Sequence, residues 1–335
     1  NVDLKVDDSR LTGSVEVRNL SNPAVRFDLE LDKIDLDRYL AAADAQTKPA
    51  TGQPGKPAAA GSAAPLALLR NLDVQGKFGV RELKVLGLRA SEARVQAHAK
   101  GGVLRLGPNT AKLYSGSYRG ETVVDARGKA AQLTFDEKLE GVQVGPLLKD
   151  MKLFDSYTGT GNIAVKLTAA GLDAKQIRRT LNGNASLAFR DGKIDGIDLE
   201  ALYKTVMEKS ASIDTLFKLI PKPGDSTKFG EMSGTFQVAN GVAATRDLKI
   251  RMSTLLATGQ GSEDLARETN NLRIDLVEQK NLGQKCKSLP FRIRGSFNKP
   301  EVTLDDDFFK CKLKKAAEKE LGKGFEKLLQ PKKRK

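Results

Sequence analysis

The sequence is short of the side chains that most chemistry needs. It has one histidine, two cysteines and no tryptophan, and aromatic residues fill only 5% of its 335 positions. The lone histidine, His98, sits in VQAHAK, where alternation places it among small residues on a strand face. Without a second histidine it builds neither a metal site nor a proton relay, so a structural role is expected and no metal is. No P-loop, nucleophile elbow or supported carboxylate pair occurs. GTGNIA at 159–164 has the spacing of a dinucleotide fingerprint, but that motif must open a helix, and NIAVKLTAAG reads as a strand. Neither enzymatic activity nor a cofactor is therefore expected. No apolar run of roughly eighteen residues is present, so no membrane-spanning helix is expected in this chain. Residue 1 is asparagine, which leaves room for a signal peptide or anchor ahead of it.

Charge is abundant but unevenly placed. The net charge is +14, and between Phe308 and Lys335 eleven Lys or Arg face three Glu, a surplus of eight, so the other residues carry only +6. A basic tail does not make the body bind nucleic acid. No basic patch interleaved with stacking aromatics, RNP-like string or zinc-finger spacing accompanies it, so nucleic acid is not an expected partner.

What the chain does have is alternation. ASLAF and KIDGI flank Asp191-Gly192, a pair suited to a hairpin because both residues tolerate positive φ. From Leu199 the apolar positions become Leu199, Leu202, Tyr203 and Val206, the stripe of an amphipathic helix, with Asp198 at its N-cap. The same strand-then-helix sequence recurs in FDLELDKIDLDRYL (27–40) and FDEKLEGVQVGPLL (135–148), and Gly-led alternating runs start near Gly13, Gly116, Gly159, Gly183, Gly234 and Gly295. Repetition of one unit predicts an extended sheet built from similar pieces. Residues 72–125 read as four to six strands in meander order, TFQVANGVAATRDLKI adds an Asn240-Gly241 hairpin, and helices are expected near 172–181 and 198–220. The domain reading is strands with the first unit over 1–40, a disordered Ala/Pro/Gly-rich linker over 41–65, a β-domain with inserted helices over 66–304, and a basic helix and tail over 305–335.

In that last segment Phe309, Leu313, Leu321, Phe325 and Leu328 fall on one helical stripe while most lysines face away. Such a helix either lies on an anionic membrane surface or caps the end of a sheet. The two cysteines, Cys286 and Cys311, flank the last strands; in an oxidising compartment a bond between them would stabilise by roughly 3.5 kcal/mol through loop entropy and tether the helix to the sheet.

VRFDLELDKIDLDRYL, LYSGSYRGETVVDARG, LEGVQVGPLLKDMKLFDSYTGTGNIAVKLTAAG and LNGNASLAFRDGKIDGIDLEAL resemble the carboxy-terminal region of the AsmA family of Gram-negative bacteria. The resemblance covers most of the chain and is densest over 113–204; the low-complexity insert and the Lys-rich end depart from it. It implies a mainly β fold with short helices, a long, curled antiparallel β-groove of taco-like shape. It also implies a periplasmic location, a tether to the inner membrane through a segment not in this chain, a part in outer-membrane biogenesis, and no catalytic residues. If one apolar face of alternating strands curls into a trough, it makes a dry track for the acyl chains of phospholipid. Its candidate lining is Val123, Leu133, Ile163, Val165, Leu167, Leu187, Phe236, Val238, Ile250, Ile274, Leu276, Phe291 and Ile293; the alternative is that these fill a closed or helix-covered core. Two functions stay open, a lipid conduit between the two membranes or a scaffold that engages outer-membrane assembly proteins.

Overall fold

In the computed structural model the described residues are 1–6, 8–18, 24–38, 63–151, 156–171, 173–208, 224–297, 299–314 and 317–318. The strands are β1 (Val2–Val6), β2 (Ser9–Arg18), β3 (Ala24–Asp35), β4 (Asp73–Val85), β5 (Leu88–Lys100), β6 (Val103–Leu113), β7 (Gly116–Asp125) and β8 (Gln132–Gln143). They continue as β9 (Tyr157–Ala170), β10 (Asn182–Asp195), β11 (Ser226–Ala239), β12 (Val242–Arg251), β13 (Leu255–Asp264), β14 (Thr269–Glu278), β15 (Leu289–Ser296) and β16 (Lys299–Leu304). Four short helices punctuate them: α1 (Ala63–Asn71), α2 (Val144–Asp150), α3 (Ala174–Thr180) and α4 (Leu199–Glu208). Residues 36–38 and 306–314 are also helical.

All sixteen strands form one sheet whose spatial order is the chain order, and the sheet is curled without closing. At about 4.8 Å between strands it extends roughly 70 Å along the hydrogen-bonding direction. The sheet is mixed where the sequence predicts antiparallel strands throughout: β3 and β4 run parallel, with Phe27 opposite Gly76 and Leu31 opposite Val80. Parallel neighbours need a crossover connection, and the chain between Asp35 and Asp73, including the low-complexity stretch, supplies it. Its last residues, 63–71, are helical, so α1 begins inside the segment predicted to be linker. Most of that segment, and 209–220 of the predicted longer helix, lie outside the described residues.

The three strand-then-helix units are present, with a change in how they are built. Asp191-Gly192 is not a hairpin, because β10 runs through it from Asn182 to Asp195. Asp191 takes φ 51°, and the pairing with β9 skips between Arg190 and Lys193, which is a β-bulge. Gly141, at φ 66°, makes the equivalent bulge in β8, where the pairing with β9 skips between Leu139 and Val142. One extra residue lets positions three apart, Phe189 and Gly192, lie on the same face, opposite the buried Met232 and Phe229. The flat ring of Phe229 lies over Gly192, in space that a Cβ would occupy. Asn240-Gly241, by contrast, is the predicted hairpin turn, with φ 48° and 78° joining β11 to β12.

Buried apolar residues gather in three clusters on one side of the sheet. The largest joins Leu202, Tyr203 and Val206 of α4 to Phe229, Met232, Met252, Leu255, Leu276 and Leu289 of the strands and to Phe308. A second holds Leu31, Val80 and Ala93, and a third packs Leu66 of α1 on Ala126 and Ala131. Partly buried members of the first cluster range from Leu187 on β10 to Leu304 on β16, so this side of the single sheet is its concave side.

Candidate functional site: the inner face of the sheet

Side chains directly opposite one another across paired strands share a face, so the register traces the inner surface row by row. Through the middle run Tyr118, Leu139, Ile163, Leu187 and Gly234, each paired with the next. One step along the strands lie Glu137, Val165, Ala185 and Phe236, and beyond them Phe135, Leu167, Gly183 and Val238. Leu133, Ile250, Ile274, Leu276, Phe291 and Ile293 belong to the same face through their partners Val124, Met232, Gly259, Ala257, Leu304 and Leu272.

Val123 does not. It is opposite Arg105 and Thr134 and lies on the outer, polar face; its neighbour Val124, opposite Leu104 and Leu133, occupies the inner position. The run TVVD offers two adjacent valines, and only the register decides between them. The other predicted residues differ in what covers them. Leu276 is fully buried at 1% exposure and Val238 is at 6%, whereas Ile163, Val165 and Leu167 are half-buried. Leu133 packs under α1.

Sequence reasoning missed the open apolar residues near both edges of the face, among them Val302 of β16, which is opposite Ile293 and 57% exposed. Leu4, Val15 and Val17 are 54%, 43% and 49% exposed, and their partners Leu11, Phe27 and Val25 place them on the inner side. Their signal was legible in GSVEV, where Val15 and Val17 alternate with polar residues.

The face is largely apolar, with carboxylates on it at Glu137 and, on β13, at Glu263, which lies opposite Ala243 in the row of Val238. Among the inward positions of β6 to β12, Glu137 is the single charged residue; it accepts hydrogen bonds from the Tyr118 hydroxyl at 2.6 Å and the Thr122 hydroxyl at 2.8 Å. Burial, then the adjacent carboxylate, pushes the Tyr118 hydroxyl well above the usual phenol range, so it stays a donor. Asn109, opposite Gly120 in the same row, has a buried Oδ1 with no hydrogen-bond partner. The outer face carries charge instead, including the Lys166–Asp136 pair at 3.1 Å and the Arg105–Glu121 pair.

A family model for the AsmA family matches residues 9–248. The chain belongs to the AsmA family. Protein AsmA of Escherichia coli (strain K12) is 21% identical over 292 residues, covering 82% of this chain and 46% of its own length. The chain thus spans about half the length of that curated relative. No solved structure matches.

At the C-terminal end of this AsmA-family chain the inner face is capped. Residues 305–314 bring Phe308 and Phe309 onto the large cluster. Cys286 and Cys311 are disulfide-bonded, with Cα atoms 5.5 Å apart. Of the predicted stripe, Phe309 packs on the cluster beside the buried Phe308, whereas Leu313 is 71% exposed. Leu321, Phe325 and Leu328 lie outside the described residues. Asp305, 4% exposed, anchors the segment through Arg292 at 2.6 Å and Arg273 at 3.2 Å. Among the described residues no cluster of metal-ligating side chains occurs and no helix is long and apolar enough to cross a membrane.

Proposed function

We propose that this chain carries or conducts phospholipid along its inner face, without a catalytic step or cofactor, as a periplasmic component of outer-membrane biogenesis tethered to the inner membrane. The observation that carries the reading is the uncovered apolar lining at β1 and β2, continuous through paired residues with the half-buried row Ile163, Val165 and Leu167. An apolar strip left in water is costly unless something apolar occupies it, and an acyl chain supplies about 0.8 kcal/mol per buried CH₂. The unclosed mouth lets a head group stay hydrated while its tails lie on the strip. AsmA family membership supports the envelope setting.

The test is native mass spectrometry of the purified chain, with extraction of bound lipid. Phospholipid should copurify, and Val165→Asp should deplete it while the chain stays folded. β1 and β16 are the outermost strands among the described residues, which favours a second reading, because a partner strand can add to a sheet edge. A reproducibly lipid-free chain that still captures an outer-membrane assembly protein would favour that scaffold role.

A further inference from the structure

The disulfide does more than cap the trough, because it gathers two segments of unusual composition at one end of the molecule. Residues 279–289, QKNLGQKCKSL, contain Lys280, Lys285 and Lys287 and no carboxylate. Residues 308–314, FFKCKLK, contain Lys310, Lys312 and Lys314 and again no carboxylate. The Cys286–Cys311 bond joins them. Lys280, Lys287 and Lys312, with Lys204 of α4, line one cleft of about 680 Å³, so the two segments form a single surface.

Each segment also presents a bare leucine. Leu282 is 55% exposed and Leu313 is 71% exposed. Four nearby carboxylates offset part of the lysine charge: Glu278 pairs with Lys280 at 3.4 Å, Asp307 with Arg273 at 2.9 Å and with Lys310 at 3.9 Å, Glu200 accepts from the hydroxyls of Ser253 and Thr254, and Asp306 is exposed. Seven lysines, Lys204 and the six of the two segments, still outnumber these four carboxylates. Exposed leucines flanked along the chain by lysines, Leu282 by Lys280 and Lys285 and Leu313 by Lys312 and Lys314, suit the boundary between lipid head groups and acyl chains, where the apolar tips insert and the ammonium groups meet lipid phosphates.

We infer that this disulfide-linked pair of segments docks the C-terminal end of the sheet on an anionic membrane surface, with Leu282 and Leu313 as its two inserting side chains. The loop 279–289 is half of the surface, so it is not the property of the C-terminal helix alone. Docking does not require the trough to conduct lipid, and its test involves no transfer.

The absence of tryptophan makes the test clean. Leu282→Trp and Leu313→Trp each place one fluorophore at an exposed site in the oxidised full-length chain, and Leu68→Trp on α1, where Leu68 is 67% exposed, serves as the control. With vesicles of equal parts phosphatidylglycerol and phosphatidylcholine, both reporters should shift to the blue and be quenched by brominated acyl chains. With pure phosphatidylcholine they should not, and Leu68→Trp should shift in neither. Replacing Lys280, Lys285 and Lys287 together by Gln should weaken binding by about a hundredfold. A shift at one leucine reporter alone or at neither, a matching shift from the control, or equal affinity for the two vesicle types would overturn the inference, and binding by the basic residues beyond 318 alone would give the second of these.

Discussion

Strands β1 and β2 and strands β13 to β15 treat the same apolar face in opposite ways, and β16 beyond them, where Val302 opposite Ile293 is 57% exposed, is open again. At β1 and β2, Leu4, Val15 and Val17 stand roughly half exposed. At β13 to β15 the equivalent face is sealed: Leu255, Leu276 and Leu289 are at 1%, 1% and 0% exposure beneath α4 and the helical residues 306–314. Strand pairing is continuous between the two, so the difference comes from added cover and not from a change in the sheet. Alternation makes a face apolar, but short helices and a disulfide decide whether it is core or surface.

The sharpest way to break that comparison is one substitution made in both regions. Leu276→Asp buries a carboxylate without a partner and should cost at least about 4 kcal/mol, enough to unfold the C-terminal region in a urea titration. Val15→Asp should cost under about 1 kcal/mol by the same measurement, because its side chain already meets water. Similar losses at the two positions would mean that the N-terminal face is also core.

Removing the cap's covalent link is the next largest effect. Cys286→Ser with Cys311→Ser should lower stability by about 3 kcal/mol, set by the 25-residue separation. Hydrogen exchange should localise the loss to α4, the 279–289 loop and residues 306–314, leaving β1 to β9 unchanged.

Much of this architecture was legible because side-chain period and backbone geometry agree. Strands alternate with period two, the units at 27–40, 135–148 and 189–209 switch period where the strand ends, and the cysteine pair flanks the region it joins. The failures share a cause, which is that one local signal serves two tertiary outcomes. Asp191 in positive φ suits a hairpin or a bulge, and here Phe229, packed over Gly192, keeps the strand running. Val123 and Val124 are equivalent until β6 and β8 fix the register. The parallel β3–β4 pair depends on a crossover whose residues carry almost no pattern. Which inward residues are open and which are capped was not legible, since Val15 and Leu276 both simply alternate; only the placement of α4 and of residues 306–314 separates them.

The smallest effect concerns pH. The backbone N–H of Asp307, and then the charges of Arg273 and Arg292, hold the Asp305 carboxyl below the ordinary carboxylate range. A lowered native value contributes stability that is present above the unfolded-state value and is lost as pH falls through the native one. The C-terminal cap should therefore loosen from about pH 4 downward, by less than the loss of the disulfide. In Asp305→Asn this part of the pH dependence should flatten, as read from urea midpoints between pH 7 and pH 3.

The most direct test of the account uses a phospholipid with a photoactivatable group in its acyl chain, bound to the purified chain and mapped by peptide mass spectrometry. Adducts should fall on inward residues such as Val15, Val124, Ile163 and Val165 and avoid Val123 and the outer lysines. Labelling spread equally over Val123 and Val124 and over both faces, or confined to the outer face, would contradict the claim that the inner face holds the lipid.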